Sequence, residues 1–371
     1  MKRFCLLLFT TALLVSCSTD DSNDPSNPGT DPENFDRGKM LSNWADNIII
    51  PSLVNFESLT SDLDSKTQAF IENPTMQSLS VLRQSYQEAY LGFQKVSLYQ
   101  IGPAESMNFR SNLNTYPTDK TSVEEKINSG EFNLELSNSR DQQGFPALDL
   151  LLNGMQNSDA ETIEYFANNA DAREYLNALS ERINTLTASV LNQWEDSYRD
   201  DFVGNTSSSS TGSIDKFTND FIFYFEKLIR TAKIGIPAGA FTGSPHAENV
   251  ESYYDPEFSK ELYTTALTTV EDFFKGKHVN GNETGPSFQQ YLNALDSKKN
   301  GEQLSSLIND QFQVVDQKNE ALNPNLVQQV NTNPTTMLAA FDEMQKNVIL
   351  LKVDMLQELS IGVDYGDTDG D

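Results

Sequence analysis

A chain of 371 residues is long enough for two modest domains. It carries 26 basic against 54 acidic residues, a formal charge of −28 at pH 7. Such a surface repels nucleic acid and anionic membrane and favours cations or basic partners, so nucleic-acid binding is set aside.

At the start, Lys2 and Arg3 precede a short apolar run from Phe4 to Val15, and Leu14-Val15-Ser16-Cys17 has the form of a bacterial lipobox. The run is too short to span a bilayer as a helix. The expectation is a lipoprotein signal peptide over 1–16 and a lipidated Cys17. Cys5 would leave with the signal, so no disulfide and no cysteine metal cluster is open to the mature chain. Residues 17–38 are rich in Asp, Asn, Ser, Pro and Gly and read as a flexible tether. Acidic Asp20 and Asp21 so close to the anchor are similar to the surface-export signal of some Gram-negative groups. The chain is therefore expected to be lipid-anchored in a Gram-negative outer membrane, facing the periplasm or the cell surface.

Helical spacing dominates the rest of the chain. Trp44, Ile48, Leu53, Phe56, Leu59 and Leu63 predict one helix from Lys39 to Ile71, kinked at Pro51. After the break at Asn73-Pro74-Thr75, Leu79 to Val96 form an amphipathic helix that stops before Ile101-Gly102-Pro103-Ala104-Glu105-Ser106. Met107 to Glu135 reads as irregular with short helices. Ser158 opens another helix as an N-cap, and Arg173 to Tyr198 gives a longer one. Gly204 to Gly212 is a Ser-rich linker between expected domains at 39–203 and 213–371. Beyond it, Phe217 to Ala232 has an apolar face wide enough for near-complete burial, ending at Lys233-Ile234-Gly235-Ile236-Pro237. Further helices are predicted at 260–274, 287–295, 303–318 and 334–359, and no alternation suggests a sheet anywhere. The fold class is all-α.

The stretch that organises the chain is Gly144-Phe145-Pro146-Ala147-Leu148-Asp149-Leu150-Leu151-Leu152-Asn153-Gly154. Pro146 suits a first helical turn, the glycines punctuate its two ends, and Asp149 shares a face with Pro146. A carboxylate near the positive end of a buried helix is either a cap-like structural acid or part of a site. This frame resembles the Gly-x-His-x-x-Glu motif of the imelysin family, with Pro146 in place of the His and Asp149 in place of the Glu. The Gly102-Pro103-Ala104 turn, Tyr116-Pro117-Thr118-Asp119, Glu251-Ser252 and the final helix running into the acidic tail are similar to imelysin segments too. The resemblance covers Lys39 to the C-terminus and implies two related helical bundles.

In that family the His and Glu can face one metal from a single helix; here Pro146 cannot ligate anything. The two histidines, His246 and His278, are remote in sequence; His246 could reach the site across the linker, whereas His278 reads as solvent-facing. No His-Glu-x-x-His and no Gly-x-Ser-x-Gly occurs, so the chain reads as non-catalytic. The loops nevertheless carry Glu105, Ser106, Arg110, Asp119, Asp149, Glu251 and Ser252, and the hard oxygens of the acids and serines among them would suit iron or another hard cation. Arg110 paired with Asp149 or Glu105 is the plain alternative. The tail aspartates Asp364, Asp367, Asp369 and Asp371 lack the register of a calcium loop. By resemblance, the implied role is a binding or accessory component of iron or haem uptake beside an outer-membrane transporter. A degenerate metallopeptidase and a surface protein-interaction module are the alternatives.

Overall fold

In the computed structural model the described residues are Phe35–Tyr365. The signal peptide, Cys17, nearly all of the tether and the tail residues Asp367, Asp369 and Asp371 lie outside them.

Helix α1 (Arg37–Asn43) runs through a π-helical turn, Trp44–Ile49, into α2 (Ile50–Glu72). The kink expected at Pro51 takes this form because proline has no N–H for the carbonyl four residues back and its ring crowds it. That carbonyl, Asn47 O, accepts the Val279 N–H at 3.1 Å instead. Thr75 then starts α3 (Met76–Val96) with a reciprocal cap: its Oγ1 accepts the Ser78 N–H at 3.1 Å, and Ser78 Oγ accepts the Thr75 N–H at 3.0 Å.

Short helices α4 (Pro103–Ser106), α5 (Phe109–Leu113) and α6 (Lys120–Ser129) lead to α7 (Gly144–Asp149), which continues as a π-helical turn over Leu150–Gly154. Next come α8 (Asp159–Asn168), with Ser158 as N-cap, and α9 (Ala170–Gln193). The chain extends α9 through a π-helical Trp194–Tyr198 into α10 (Arg199–Gly204). Helices α3 and α9 both pack along α2.

The Ser-rich stretch after α10 is a closed loop. Asn205 Nδ2 donates to Thr211 O at 2.7 Å, and the Arg37 guanidinium donates to Ser208 Oγ and to Ser207 O. Helix α11 (Ser213–Phe223) passes into a π-helical run, Tyr224–Gly235, and then α12 (Ile236–Ala238). Helices α13 (Ser259–Lys275), α14 (Phe288–Ala294), α15 (Leu304–Glu320), α16 (Leu326–Thr332) and α17 (Pro334–Val348) come next, the last continuing through Ile349–Met355 to α18 (Leu356–Leu359). Between α14 and α15 a two-residue hairpin departs from the sheet-free expectation: β1 (Lys298–Lys299) pairs antiparallel with β2 (Glu302–Gln303). Asn300 and Gly301 both take positive φ there, which is the backbone a tight hairpin turn requires. Apart from this hairpin and an isolated bridge between Lys277 and Thr284, the regular elements of the described residues are helices.

One hydrophobic core runs through both halves. Trp44, at the start of the π-helical turn after α1, sits fully buried among Phe217, Phe273 and Phe288, with ring centroids at 5.2, 5.1 and 4.8 Å. Helix α13 lies against α3, so the loop before α13 is laid over the α3 and α7 surface.

Candidate functional site

Helix α7 begins where only glycine fits. Gly144 has φ +72°, and a Cβ there would fall 2.2 Å from the Leu113 carbonyl oxygen. Phe145 stacks on Tyr90 of α3, with ring centroids 4.6 Å apart and the rings 7° from parallel. Pro146 is buried and has no polar side-chain atom to offer a ligand. Asp149, 1% exposed, does not cap its own helix, contrary to the cap-like reading. Its Oδ1 accepts from Asn153 Nδ2 at 3.0 Å and its Oδ2 from the Tyr254 backbone N–H at 2.9 Å. Burial pushes its carboxyl up to about 7, against the pull of these two donors. Gly154 completes the contact: a Cβ there would lie 2.2 Å from the Tyr254 ring.

The Tyr254 loop brings Glu251 and Ser252 to the same place. Glu251 Oε1 accepts from Asn114 Nδ2 at 2.6 Å, Gln94 Nε2 at 3.1 Å and the Tyr90 hydroxyl at 3.2 Å. Its Oε2 meets the Lys233 ammonium, which also donates to Gln94 Oε1 at 2.9 Å. Both members of this ion pair are almost fully buried, and desolvation holds the Lys233 ammonium below its ordinary range against the pull of Glu251. Ser252 takes φ +59° and its hydroxyl donates to Asp255 O at 3.1 Å, while Gln87 Nε2 of α3 donates to Asp255 Oδ2 at 2.7 Å. The loop is therefore clamped from both α3 and α7.

Arg110 does not pair with Asp149 or Glu105. Its guanidinium grips Asp220 of α11 at 2.9 Å, donates to Ser97 O at 2.6 Å and lies over the Tyr224 ring, 5.0 Å from the centroid. Which acid stands opposite an arginine is a fact of packing, and α11 is the element that packs there. Between Arg110 and Lys233 lies a cavity of about 260 Å³, walled also by Ser97, Tyr116, Tyr224 and Ile236.

The remaining candidates go elsewhere. Glu105 and Ser106 are exposed on α4, where the Ser106 hydroxyl donates to Gly102 O at 2.9 Å. Asp119 is the N-cap of α6, accepting from Ser122 N at 3.0 Å and Ser122 Oγ at 2.6 Å, and these bonds hold its carboxyl below the usual range. His246 contacts its neighbours Thr242 and Glu248, at 3.0 and 3.2 Å, and does not join Asp149. His278 is partly buried rather than solvent-facing, with Nε2 2.8 Å from Asn43 Oδ1. Asp364 lies along α11, its N–H donating to Asn219 Oδ1 at 3.1 Å.

A resident metal does not fit this donor set. Pro146 offers no side-chain lone pair, both Asp149 oxygens already accept N–H groups, and Glu251 is saturated by three neutral donors and an ammonium. Among the described residues, no three His, Cys, Asp or Glu side chains are grouped to hold a metal ion. Sequence reasoning passed over Tyr90, Gln94, Asn114, Asp220, Tyr224 and Lys233. The usable signal was a charged residue such as Lys233 at the end of a helix whose apolar face calls for near-complete burial: a buried charge needs a partner.

A family model described as Imelysin (Peptidase M75) matches residues 49–348. Iron-regulated protein A of Synechococcus elongatus is 26% identical over 82 residues, 22% of this chain and 23% of that protein. The match thus spans less than a quarter of that relative. Two solved structures share the fold over 89% of this chain and 97% of their own. One, described as an iron-regulated protein A precursor from Parabacteroides distasonis, has TM-score 0.71 at 17% identity; the other, an imelysin-like protein from Psychrobacter arcticum, has 0.69 at 15%.

Proposed function

The chain belongs to the imelysin family, and on that premise we propose that it is a non-catalytic binding component of iron or haem uptake, held at the cell envelope by a lipid on Cys17. The observation that carries the non-catalytic part is the engagement of both acids beside Pro146. Asp149 holds the Tyr254 backbone and Glu251 holds Lys233, so neither is free to activate water or ligate a catalytic metal. The iron part is supported by the names of relatives, iron-regulated protein A in two organisms. The iron is then cargo, captured in a cavity that these acids shape from behind. Asp149 acts as a positioning residue: it fixes the loop that delivers Glu251, which in turn sets the Lys233 ammonium on the cavity wall.

Calorimetric titration of the purified chain with ferric citrate, calcium and haem tests this reading. Saturable binding of an iron form, weakened at least ten-fold (about 1.4 kcal/mol) in Asp149→Ala, is the expected result. Absence of binding for all three ligands would overturn it and favour a protein-interaction module presenting an acidic surface. The anchor is tested separately: Cys17→Ser is expected to move the protein from the membrane to the soluble fraction of cells, and unchanged membrane retention would refute lipidation there.

A further inference from the structure

The cavity between Arg110 and Lys233 has an asymmetric wall. Its two cations face it, while the carboxylates that balance them, Asp220 and Glu251, stand outside its lining. Donor counting shows what is left over. Arg110 has five N–H groups: Nε serves Ser97 O, Nη2 serves Leu98 O and Asp220, and one N–H of Nη1 serves Asp220. One Nη1 N–H remains. Lys233 has three, of which Glu251 and Gln94 take two. The Tyr224 hydroxyl, on a side chain 1% exposed, makes no hydrogen bond of good geometry among the described residues, its contact with the Ser97 side chain falling short of one. A buried hydroxyl left unpaired costs stability unless something bonds it. Asp220 is in turn engaged by Arg110 and the Gln100 N–H at 3.1 Å, so it has little acceptor capacity to spare for this cavity. The volume, about 260 Å³, falls just below the roughly 300–1,000 Å³ of sites for drug-sized ligands, which suits a small molecule, so of the two cargoes of the proposed uptake role this cavity fits a small iron chelate and not haem.

We propose that this cavity binds a small oxygen-rich anion, a carboxylate or phosphate, through the spare N–H groups of Arg110 and Lys233 and the Tyr224 hydroxyl. This rests on the binding-protein reading above and names the ligand class of its site. An oxyanion supplies the negative charge that the lining, which holds two cations and no carboxylate, lacks, and a polycarboxylate is also a form in which ferric iron travels chelated. Leu228, Ala232 and Ile236 give the lining an apolar side, beside the neutral polar Asn114, Thr115 and Asn249, and favour an anion with some carbon skeleton over a bare ion.

The experiment is calorimetric titration of the whole chain with iron-free citrate, inorganic phosphate and ferric citrate, on wild type, Tyr224→Phe and a control, Thr332→Ala, outside the cavity. Tyr224→Phe removes one oxygen from an otherwise unchanged ring, and thermal melts confirm that both variants fold. Saturable binding of citrate or phosphate, weakened at least ten-fold by Tyr224→Phe and unchanged by Thr332→Ala, supports the proposal; the preferred anion separates carboxylate from phosphate. Binding of neither iron-free anion, or binding that Tyr224→Phe leaves intact, overturns it. The two readings fail separately. If iron-free anions bind but ferric citrate binds no better than citrate, the anion site stands and the iron role falls. If only ferric citrate binds, and equally to Tyr224→Phe, the anion site falls and the iron role stands.

Discussion

Asp149 shows how one carboxyl ties a helix to a distant loop at an electrostatic cost. Its folded value near 7 lies above the ordinary 3.8, so between those limits the folded state holds a proton that the unfolded chain has lost. Stability contributed by this group is therefore full below about pH 4 and declines as pH rises towards 7, with a slope of at most about 1.4 kcal/mol per pH unit. Asp149→Asn keeps a similar shape, can still accept the Tyr254 N–H and cannot titrate. Urea unfolding at pH 4.5, 6 and 7.5 is expected to show the variant gaining on wild type as pH rises. Equal slopes in the two proteins would refute the assignment. Glu271, also pushed up to about 7 by burial, titrates in both and cancels in the difference.

Elements are bounded by local chemistry that a few side chains decide. Thr75 and Ser78 close the N-terminus of α3, the helix that supplies Gln87, Tyr90 and Gln94 to the loop clamp. Thr75→Ala removes that cap and is expected to lower stability by about 1 kcal/mol, with Thr75→Ser close to wild type; denaturant midpoints measure both. An unchanged midpoint in Thr75→Ala would mean that water replaces the cap at no cost. Pro51 illustrates a different boundary. The helix passes through it by widening into a π turn, and the carbonyl that proline cannot serve is taken by Val279 from the other half of the chain.

Across the whole molecule, the two halves share a core. Trp44 belongs by sequence to the first half but packs on Phe217, Phe273 and Phe288 of the second, and the Glu251–Lys233 pair is completed by Tyr90, Gln94 and Asn114 of the first. Trp44→Ala is expected to cost about 3–5 kcal/mol, the range for a buried aromatic truncated to a cavity. Scanning calorimetry is expected to show both halves melting together in the wild type. Two well-separated transitions, or a Trp44→Ala variant that shifts neither half, would show that the shared core contributes little.

Much of this was legible in the chain. Apolar positions recurring at three and four residues, with Ser158 as a cap, determine the helices, because helix formation is a local matter of spacing and end groups. The glycine frame around Pro146 and Asp149 marked the stretch that the site is built on. Its departure from the family motif already removed the metal-ligating histidine. The tertiary structure alone decided the rest: Asp220 and not Asp149 faces Arg110, Asp119 is a cap, Glu105 and Ser106 face solvent, and Lys233 is a buried partner of Glu251. Those outcomes depend on which elements lie opposite each other. A buried charge is satisfied by whatever packing brings within about 3 Å of it, and no local pattern of residues encodes that neighbour.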